Sequence, residues 1–164
     1  MVRCRLAIGG ESSVMRAMID TPKYLFVYGT LLAEAQHPMG ALLRKHGHVV
    51  GRGHIQARLY IIEEVDDQGP NSYPGAVPSP VAEDLVHGMV YEVTNPRPVF
   101  EAFDDFEACA PGWPEPYEFL LRPIDVTMKD GAILRAASYL YTWDTSRATL
   151  VASGRFEQVA PHVR

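Results

Sequence analysis

The sequence has little cysteine and no long apolar run. Only two of its 164 residues are cysteines, Cys4 and Cys109, and their separation fits neither a disulfide framework nor a zinc-binding motif. A chain without disulfide bonds is typical of a reducing compartment, so we expect a cytoplasmic protein. The first ten residues are too short and too charged for a signal peptide, and no apolar run reaches membrane-spanning length. We therefore expect neither secretion nor a membrane partner.

The sequence also lacks clusters of basic residues. Its formal net charge is -5 at pH 7, and no run of Lys or Arg offers a binding surface to phosphate backbones. Nucleic acid is therefore excluded as the expected partner, and a small molecule takes its place. With 47% hydrophobic and 21% charged residues, the composition is that of a soluble globular chain, long enough for one domain with its own core.

The first 22 residues lack a hydrophobic period and are rich in small side chains. We expect residues 1–22 to be a flexible leader. The alternative is a start assigned too early, since Met18 lies just before the first strand pattern. The domain is expected to span residues 23–164, and truncation to Met18 should leave its melting temperature unchanged.

Strand patterns outnumber helical ones along the rest of the chain. Residues 24–28 form an unbroken apolar run, which predicts a strand buried on both faces. Further strands are predicted over residues 49–62 and 86–93, and a hairpin is predicted over residues 117–143 around Asp130-Gly131. Two prolines mark helix starts: a short helix from Pro38, ended by Gly47 in a left-handed cap, and a helix from Pro98 to about Ala108.

Two segments have weaker patterns. Residues 63–80 are rich in charge, Pro and Gly, and predict a long loop at the rim of a pocket. Residues 147–151 could form a helix. Together the patterns predict an α+β fold, a small mixed or antiparallel β-barrel flanked by short helices.

The predicted helix over residues 98–108 places one acid among aromatic side chains. At 100° per residue, its apolar residues share one arc: Val99, Phe100, Phe103 and Phe106. Glu107 falls within this arc, while Glu101 and Asp105 project to the other side and Asp104 lies near the edge. A carboxyl that loses hydration has a raised pKa, which suits proton exchange near pH 7. The alternative is a glutamate that turns outward or bonds to a backbone donor.

A second candidate site follows the first strand. The run Tyr28-Gly29-Thr30-Leu31 breaks a buried strand at a glycine, where consecutive backbone N–H groups could bind a carboxylate or an oxyanion. A glycine after a strand is more often only a turn, so this alternative stays open on the residues alone.

Several short motifs occur together in a recognisable order. They are residues 26–31 (FVYGTL), 59–60 (LY), 73–77 (YPGAV), 86–93 (VHGMVYEV), 103–107 (FDDFE) and 137–141 (ASYLY). In this order and spacing the chain resembles the gamma-glutamylcyclotransferase-like family, which includes gamma-glutamylamine cyclotransferase-like proteins. The resemblance covers residues 24–143.

The resemblance implies a compact barrel whose turn at Tyr28, Gly29, Thr30 and Leu31 holds the substrate, with Tyr117 also contributing to substrate binding. It implies Glu107 as the acid/base that cyclises a gamma-glutamyl amine or peptide to 5-oxoproline and releases the amine. Neither metal nor organic cofactor is then needed.

The chain departs from the family pattern at several positions. Phe119 stands where the family carries an arginine, for which Arg122 could substitute, and Ala108 stands where the family carries glycine. These departures put the choice of substrate in question more than the type of reaction.

Other readings of the sequence remain. His46, His48 and His54 could suggest a metal site, but histidines beside a Gly-rich turn are more often exposed loop residues, so no metal is expected. Cys109 lacks the surroundings of a catalytic thiol. The main alternative to an enzyme is a non-catalytic small-molecule-binding or regulatory module on the same fold. The oligomeric state and the leaving amine are open.

Overall fold

The structure is a computed structural model that describes residues 21–29 and 37–157. Most of the predicted leader lies outside the described residues, and so do Thr30 and Leu31 of the predicted substrate turn. In the part of the chain that is described, none of the helices is both long and apolar enough to cross a membrane.

The described residues form one seven-stranded sheet with two helices beside it. The strands are β1 (Tyr24–Val27), β2 (Gly47–Asp66), β3 (Gly69–Pro78), β4 (Leu85–Val93), β5 (Phe119–Met128), β6 (Ile133–Tyr141) and β7 (Thr149–Leu150). The helices are α1 (Pro38–His46) and α2 (Pro96–Phe106). Strands thus dominate the fold, and the predicted α+β class is confirmed.

Five of the strands close into a barrel in the order β2-β4-β1-β6-β5. The ring closes where Gly53 of β2 pairs with Met128 of β5. A Cβ at Gly53 would lie 2.8 Å from the Thr127 carbonyl oxygen and 2.7 Å from the Val126 side chain. Glycine is therefore what lets the two strands approach closely enough to close the barrel. The predicted small barrel is confirmed, with β3 and β7 pairing with β2 outside the ring.

The short strand β1 lies at the centre of the fold. It pairs antiparallel with β4 and parallel with β6. Leu25 and Phe26 are each 1% exposed although they point to opposite faces, because Leu25 packs under the helices with Phe103 and Phe26 packs inside the barrel with Val90. This confirms the strand buried on both faces that the apolar run predicts.

The prediction of a loop over residues 63–80 is wrong. Strand β2 continues to Asp66, turns through two residues and pairs in register with β3, from Asp66 opposite Gly69 to Ala57 opposite Pro78. Three prolines make β3 look unlike a strand in the sequence. They are Pro70, Pro74 and Pro78, all at even-numbered positions, and β3 is an edge strand. The N–H groups of even residues point away from β2, as that of Ala76 does, so no ladder hydrogen bond is lost.

Three smaller expectations also need correction. Gly47 does not cap α1 in the left-handed region but is extended and begins β2, where a Cβ would lie 2.4 Å from the Glu92 carbonyl oxygen. Helix α2 spans Pro96–Phe106 rather than residues 98–108, since the absence of a proline N–H costs nothing within the first turn. Residues 147–151 contain strand β7, which pairs with β2, and no helix.

Candidate active site

A cavity of about 510 Å³ lies between α2 and one side of the barrel. Its walls come from β1 and the turn after it, from the β2–β3 hairpin, from the end of α2 and from β6. Tyr28, Gly29 and Glu107, three of the residues singled out from the sequence, all line it. The fold thus brings together the two candidate sites that lie far apart in the chain.

The end of α2 fixes the position of Glu107. Ala108 adopts a left-handed conformation with φ 53°, and its N–H bonds to the Asp105 carbonyl at 3.1 Å. The N–H of Cys109 bonds to the Asp104 carbonyl at 2.8 Å, which completes a Schellman motif. Glu107 is consequently the C-cap residue, where the backbone turns away from the helix and the side chain is directed into the cavity.

The Glu107 carboxyl lies in the cavity, where no Lys or Arg among the described lining residues balances its charge. Part of the Glu107 side chain is accessible, but protein surrounds most of its carboxyl, and no hydrogen bond from a described residue reaches the carboxylate. Burial raises its pKa to about 8, and the negative charge of Glu118 contributes further in the same direction. A carboxyl of this kind exchanges a proton close to neutral pH, which is the property that the helical pattern predicts for Glu107.

Asp104 is a second buried acid on α2, and the sequence analysis missed it. Only 3% of Asp104 is exposed, and it accepts a hydrogen bond from the Tyr139 hydroxyl at 2.7 Å. The Tyr139 ring stacks on Phe103 at 5.9 Å. Asp104 therefore ties α2 to β6 beneath the cavity. Its position at the edge of the apolar arc was the only indication of burial in the sequence. The pattern of one helix cannot show that Tyr139 on another element is its partner.

Phe106 does not belong to the core, contrary to the helical pattern. It is 50% exposed and meets the His37 ring edge-on at 5.2 Å, so it lines the cavity. The helical period gives only the angle of a side chain around the helix axis, and Phe106 is the last residue of α2. Its position beside Glu107 makes it an apolar wall of the site.

Tyr28 and Gly29 shape the cavity at the end of β1. The buried Tyr28 hydroxyl donates to the Tyr139 carbonyl at 2.8 Å and accepts from the Ala76 N–H at 3.1 Å. Burial raises the Tyr28 pKa, so the hydroxyl stays protonated. A Cβ at Gly29 would lie 2.8 Å from the Pro74 ring, which leaves glycine as the residue that fits. The turn is thus anchored on β3 and β6.

The cavity holds two more acids that the sequence analysis did not single out. Tyr73 on β3 donates a hydrogen bond to Glu118 Oε1 at 2.5 Å, and its hydroxyl lies 3.3 Å from Glu64 Oε2. All three side chains line the cavity. The pKa of Glu118 is raised by burial and by the charge of Glu64, against the lowering effect of the Tyr73 hydrogen bond. Glu64 lay in the segment predicted as a loop, and Tyr73 was noted only as part of the motif at residues 73–77, which explains why neither was assigned to the site.

The remaining candidates lie elsewhere. Tyr117 precedes Glu118 in the chain and is not among the described residues that line the cavity, and neither is Arg122, which pairs with Ser138 on the barrel wall. His48 bonds to Glu92 at 3.2 Å, while the His54 ring faces His87 at 5.7 Å. Within residues 21–29 and 37–157, no three His, Cys, Asp or Glu side chains come together as a metal site.

Several solved protein structures share this fold. The mouse aig2-like protein is 21% identical with a TM-score of 0.58, and the match covers 86% of this chain and 92% of that one. YkqA from Bacillus subtilis is 20% identical with a TM-score of 0.55, and the match covers 82% of this chain but 39% of the longer bacterial protein. An uncharacterized protein from Homo sapiens is 19% identical with a TM-score of 0.56, covering 76% and 69% of the two chains. At these identities the likeness shows the fold alone.

The sequence itself identifies the family. No curated protein sequence matches the chain at a significant level. The sequence model described as gamma-glutamyl cyclotransferase, AIG2-like, however, matches residues 25–158, which include Glu107, both helices and every strand except the first residue of β1. The motifs that suggested the resemblance thus belong to one continuous family match, and the chain belongs to the gamma-glutamyl cyclotransferase, AIG2-like family.

Proposed function

We propose that the protein cyclises a gamma-glutamyl amine or peptide to 5-oxoproline and releases the amine. The observation that carries the proposal is Glu107, a carboxyl with a raised pKa in a cavity large enough for a small molecule and lined by no Lys or Arg of the described residues. Membership of the family supports this class of reaction. The substrate and the step below are part of the proposal, and so is the cytoplasmic setting expected from the cysteines.

The reaction requires one proton acceptor that later becomes a donor. The neutral α-amine nitrogen attacks the γ-carbonyl carbon and forms the new C–N bond, while ionised Glu107 takes one of the two protons of that nitrogen. The carbonyl oxygen takes the negative charge. When the tetrahedral intermediate collapses, the old C–N bond breaks and the leaving nitrogen takes the proton from Glu107. The carboxylate is restored, and no bond to the enzyme forms.

The cavity supports this reaction by holding the glutamyl group bent. An intramolecular attack gains most from orientation, because both reacting groups belong to one molecule that must be kept in a closed shape. We assign this role to the turn at Tyr28 and Gly29, whose anchoring on β3 and β6 makes it a rigid wall. Backbone N–H groups of this turn, continuing into Thr30 and Leu31, are proposed to bind the substrate carboxylate or the developing oxyanion.

A screen of gamma-glutamyl compounds for release of 5-oxoproline tests the proposal. The set should include gamma-glutamyl amides of alkylamines, diamines and amino acids, each with the purified chain and with heat-denatured chain as control. Release of 5-oxoproline from at least one compound is expected. Binding of such compounds without any release would instead favour a non-catalytic binding module on the same fold.

A further inference from the structure

The acids of the cavity are arranged in order of increasing exposure. Glu107 is the most enclosed, Glu118 is half-buried beside it, and Glu64 is exposed to solvent. Under the proposed function the γ-carbonyl must lie at Glu107, so the glutamyl group takes the enclosed end. The leaving amine is attached to that carbonyl and has to extend towards solvent, past Glu118 and Glu64.

Around Tyr73 there are more hydrogen-bond acceptors than donors, because one hydroxyl faces two carboxylates. With Glu118 and Glu64 ionised, the Tyr73 hydroxyl supplies one proton for contacts at 2.5 Å and 3.3 Å, so the shorter contact takes it. The other carboxylate oxygens of this trio have no described side chain to donate to them. A ligand that brings several N–H donors would satisfy them, and an ammonium group carries three.

The charge of the cavity also favours a cationic ligand. Its ionisable lining residues are Glu64, Glu107 and Glu118, with His37 and tyrosines, and no Lys or Arg of the described chain lines it. A leaving group that ends in a carboxylate would therefore meet like charges, whereas a cation would meet opposite ones.

We infer that the amine released by this protein carries a cationic group, an ammonium or a guanidinium, bound by Glu118 and Glu64 with Tyr73 fixing Glu118. The inference rests on the proposed function and narrows it to one class of substrate. It separates gamma-glutamyl derivatives of diamines and basic amines from gamma-glutamyl dipeptides with a free carboxylate at the far end. Glu118 is thus a residue that determines specificity, while Glu107 performs the proton transfer.

Three probe substrates of matched length test the inference. They are the gamma-glutamyl amides of diaminobutane, butylamine and aminobutyrate, whose far ends are cationic, neutral and anionic. The measurement is kcat/KM for 5-oxoproline release at one pH. A half-buried charged hydrogen bond predicts that the cationic amide exceeds the anionic one by about tenfold or more. The excess should shrink as salt is raised.

Substitutions then test whether Glu118 and Glu64 cause the preference for a cationic leaving group. Glu118→Gln should reduce the cationic-to-anionic ratio of kcat/KM by about tenfold, and Glu64→Gln by less because Glu64 is exposed. Taking the ratio removes any common effect of these changes on Glu107. Glu63→Gln is the matched control, because Glu63 neighbours Glu64 on β2 but points to the other face of the strand, and it should leave the ratio unchanged.

The outcomes separate the inference from the function on which it rests. Turnover without a charge preference, or a preference that Glu118→Gln leaves intact, overturns the inference while the cyclotransferase activity stands. If none of the three amides nor any other gamma-glutamyl compound releases 5-oxoproline, both are wrong. Melting curves of each variant show that a changed ratio does not come from a misfolded chain.

Discussion

The acids on the outside of the barrel differ from the acids in the cavity. On the outside, Asp84 bonds to Arg58 at 2.6 Å and Asp125 bonds to Arg135 at 2.8 Å. The pKa of Asp84 is lowered, first by the hydrogen bond from Ser79 and then by Arg58. In the cavity, by contrast, burial raises the pKa of both Glu107 and Glu118.

The two groups of acids affect the stability of the folded protein in opposite ways. The lowered pKa of Asp84 means that its ionised form stabilises the folded state. An enclosed acid without a cation raises the free energy of the folded state whenever it ionises. Such a residue is often retained where binding or proton transfer requires it, so the electrostatic cost supports the proposal that the cavity is the active site.

Replacing the enclosed acid should have the largest effect of any substitution. Glu107→Gln keeps the size of the side chain but cannot exchange a proton, so kcat for 5-oxoproline release should fall by at least ~10²-fold. The matched control is Glu101→Gln on the same helix, which loses only an exposed pair with Arg97 at 3.0 Å and should leave the rate unchanged. A Glu107→Gln protein with the rate of the wild type would contradict the proposed mechanism.

The pH dependence of the rate should report the pKa of Glu107. Because ionised Glu107 is the base, kcat/KM should rise with pH and level off above about 8, the value to which burial and Glu118 raise its pKa. Below that value the rate should fall about tenfold per pH unit. Glu118→Gln removes one cause of the shift, so the rise should move to lower pH. A rise at the ordinary pKa of glutamate would show that Glu107 is solvated.

Stability should respond to pH in opposite directions at the two kinds of acid. The raised pKa of Glu107 means that the wild type loses stability as pH rises from about 4.5 to about 8. Glu107→Gln should therefore melt at a higher temperature than the wild type at pH 8 or above, with the advantage vanishing at low pH. For Asp84, whose pKa is lowered, the stabilisation is present at neutral pH and is lost as pH falls below its ordinary value of 3.8. Melting curves of Glu107→Gln and Asp84→Asn across pH test both signs.

The tyrosine beneath the cavity should matter for stability rather than for proton transfer. Tyr28→Phe leaves the buried N–H of Ala76 without its acceptor and should lower the free energy of unfolding by about 1–3 kcal/mol. Tyr91→Phe is the control, since no hydrogen bond of the Tyr91 hydroxyl occurs among the described residues. Denaturant unfolding measures the free energy of unfolding of both variants. Equal values for the two would show that the hydrogen bonds of Tyr28 do not stabilise the fold.

The smallest expected change concerns the residue after Glu107. Ala108 has φ 53°, a conformation in which glycine avoids the steric cost of a Cβ. Ala108→Gly should therefore raise the free energy of unfolding by about 1 kcal/mol. Because the Schellman motif that places Glu107 is kept, kcat should not change. A loss of activity together with a gain in stability would instead mean that the strained residue contributes to positioning Glu107.

Local patterns predicted the parts of the fold that depend on neighbouring residues. The apolar run of β1 and the turn at Asp130-Gly131 are confirmed, since Gly131 has φ 87° and joins β5 to β6. Such features need only a chain segment and its own conformational preferences. The helical period likewise placed Glu107 among aromatic residues, and the family resemblance pointed to the same residue. The order of motifs predicted the barrel, although no single strand shows that the ring closes.

The sequence by itself therefore determined the fold class, the family and the acid at the end of α2, because periodicity and motif order are properties of a linear chain. Only the tertiary structure decided that residues 63–80 contain a paired strand, because a proline-bearing edge strand is recognised by its partner. It also decided that Tyr73 and Glu118, distant in sequence, share a hydrogen bond at the cavity. Burial and long-range pairing set the charge of the site, and both arise only when separate segments pack against one another.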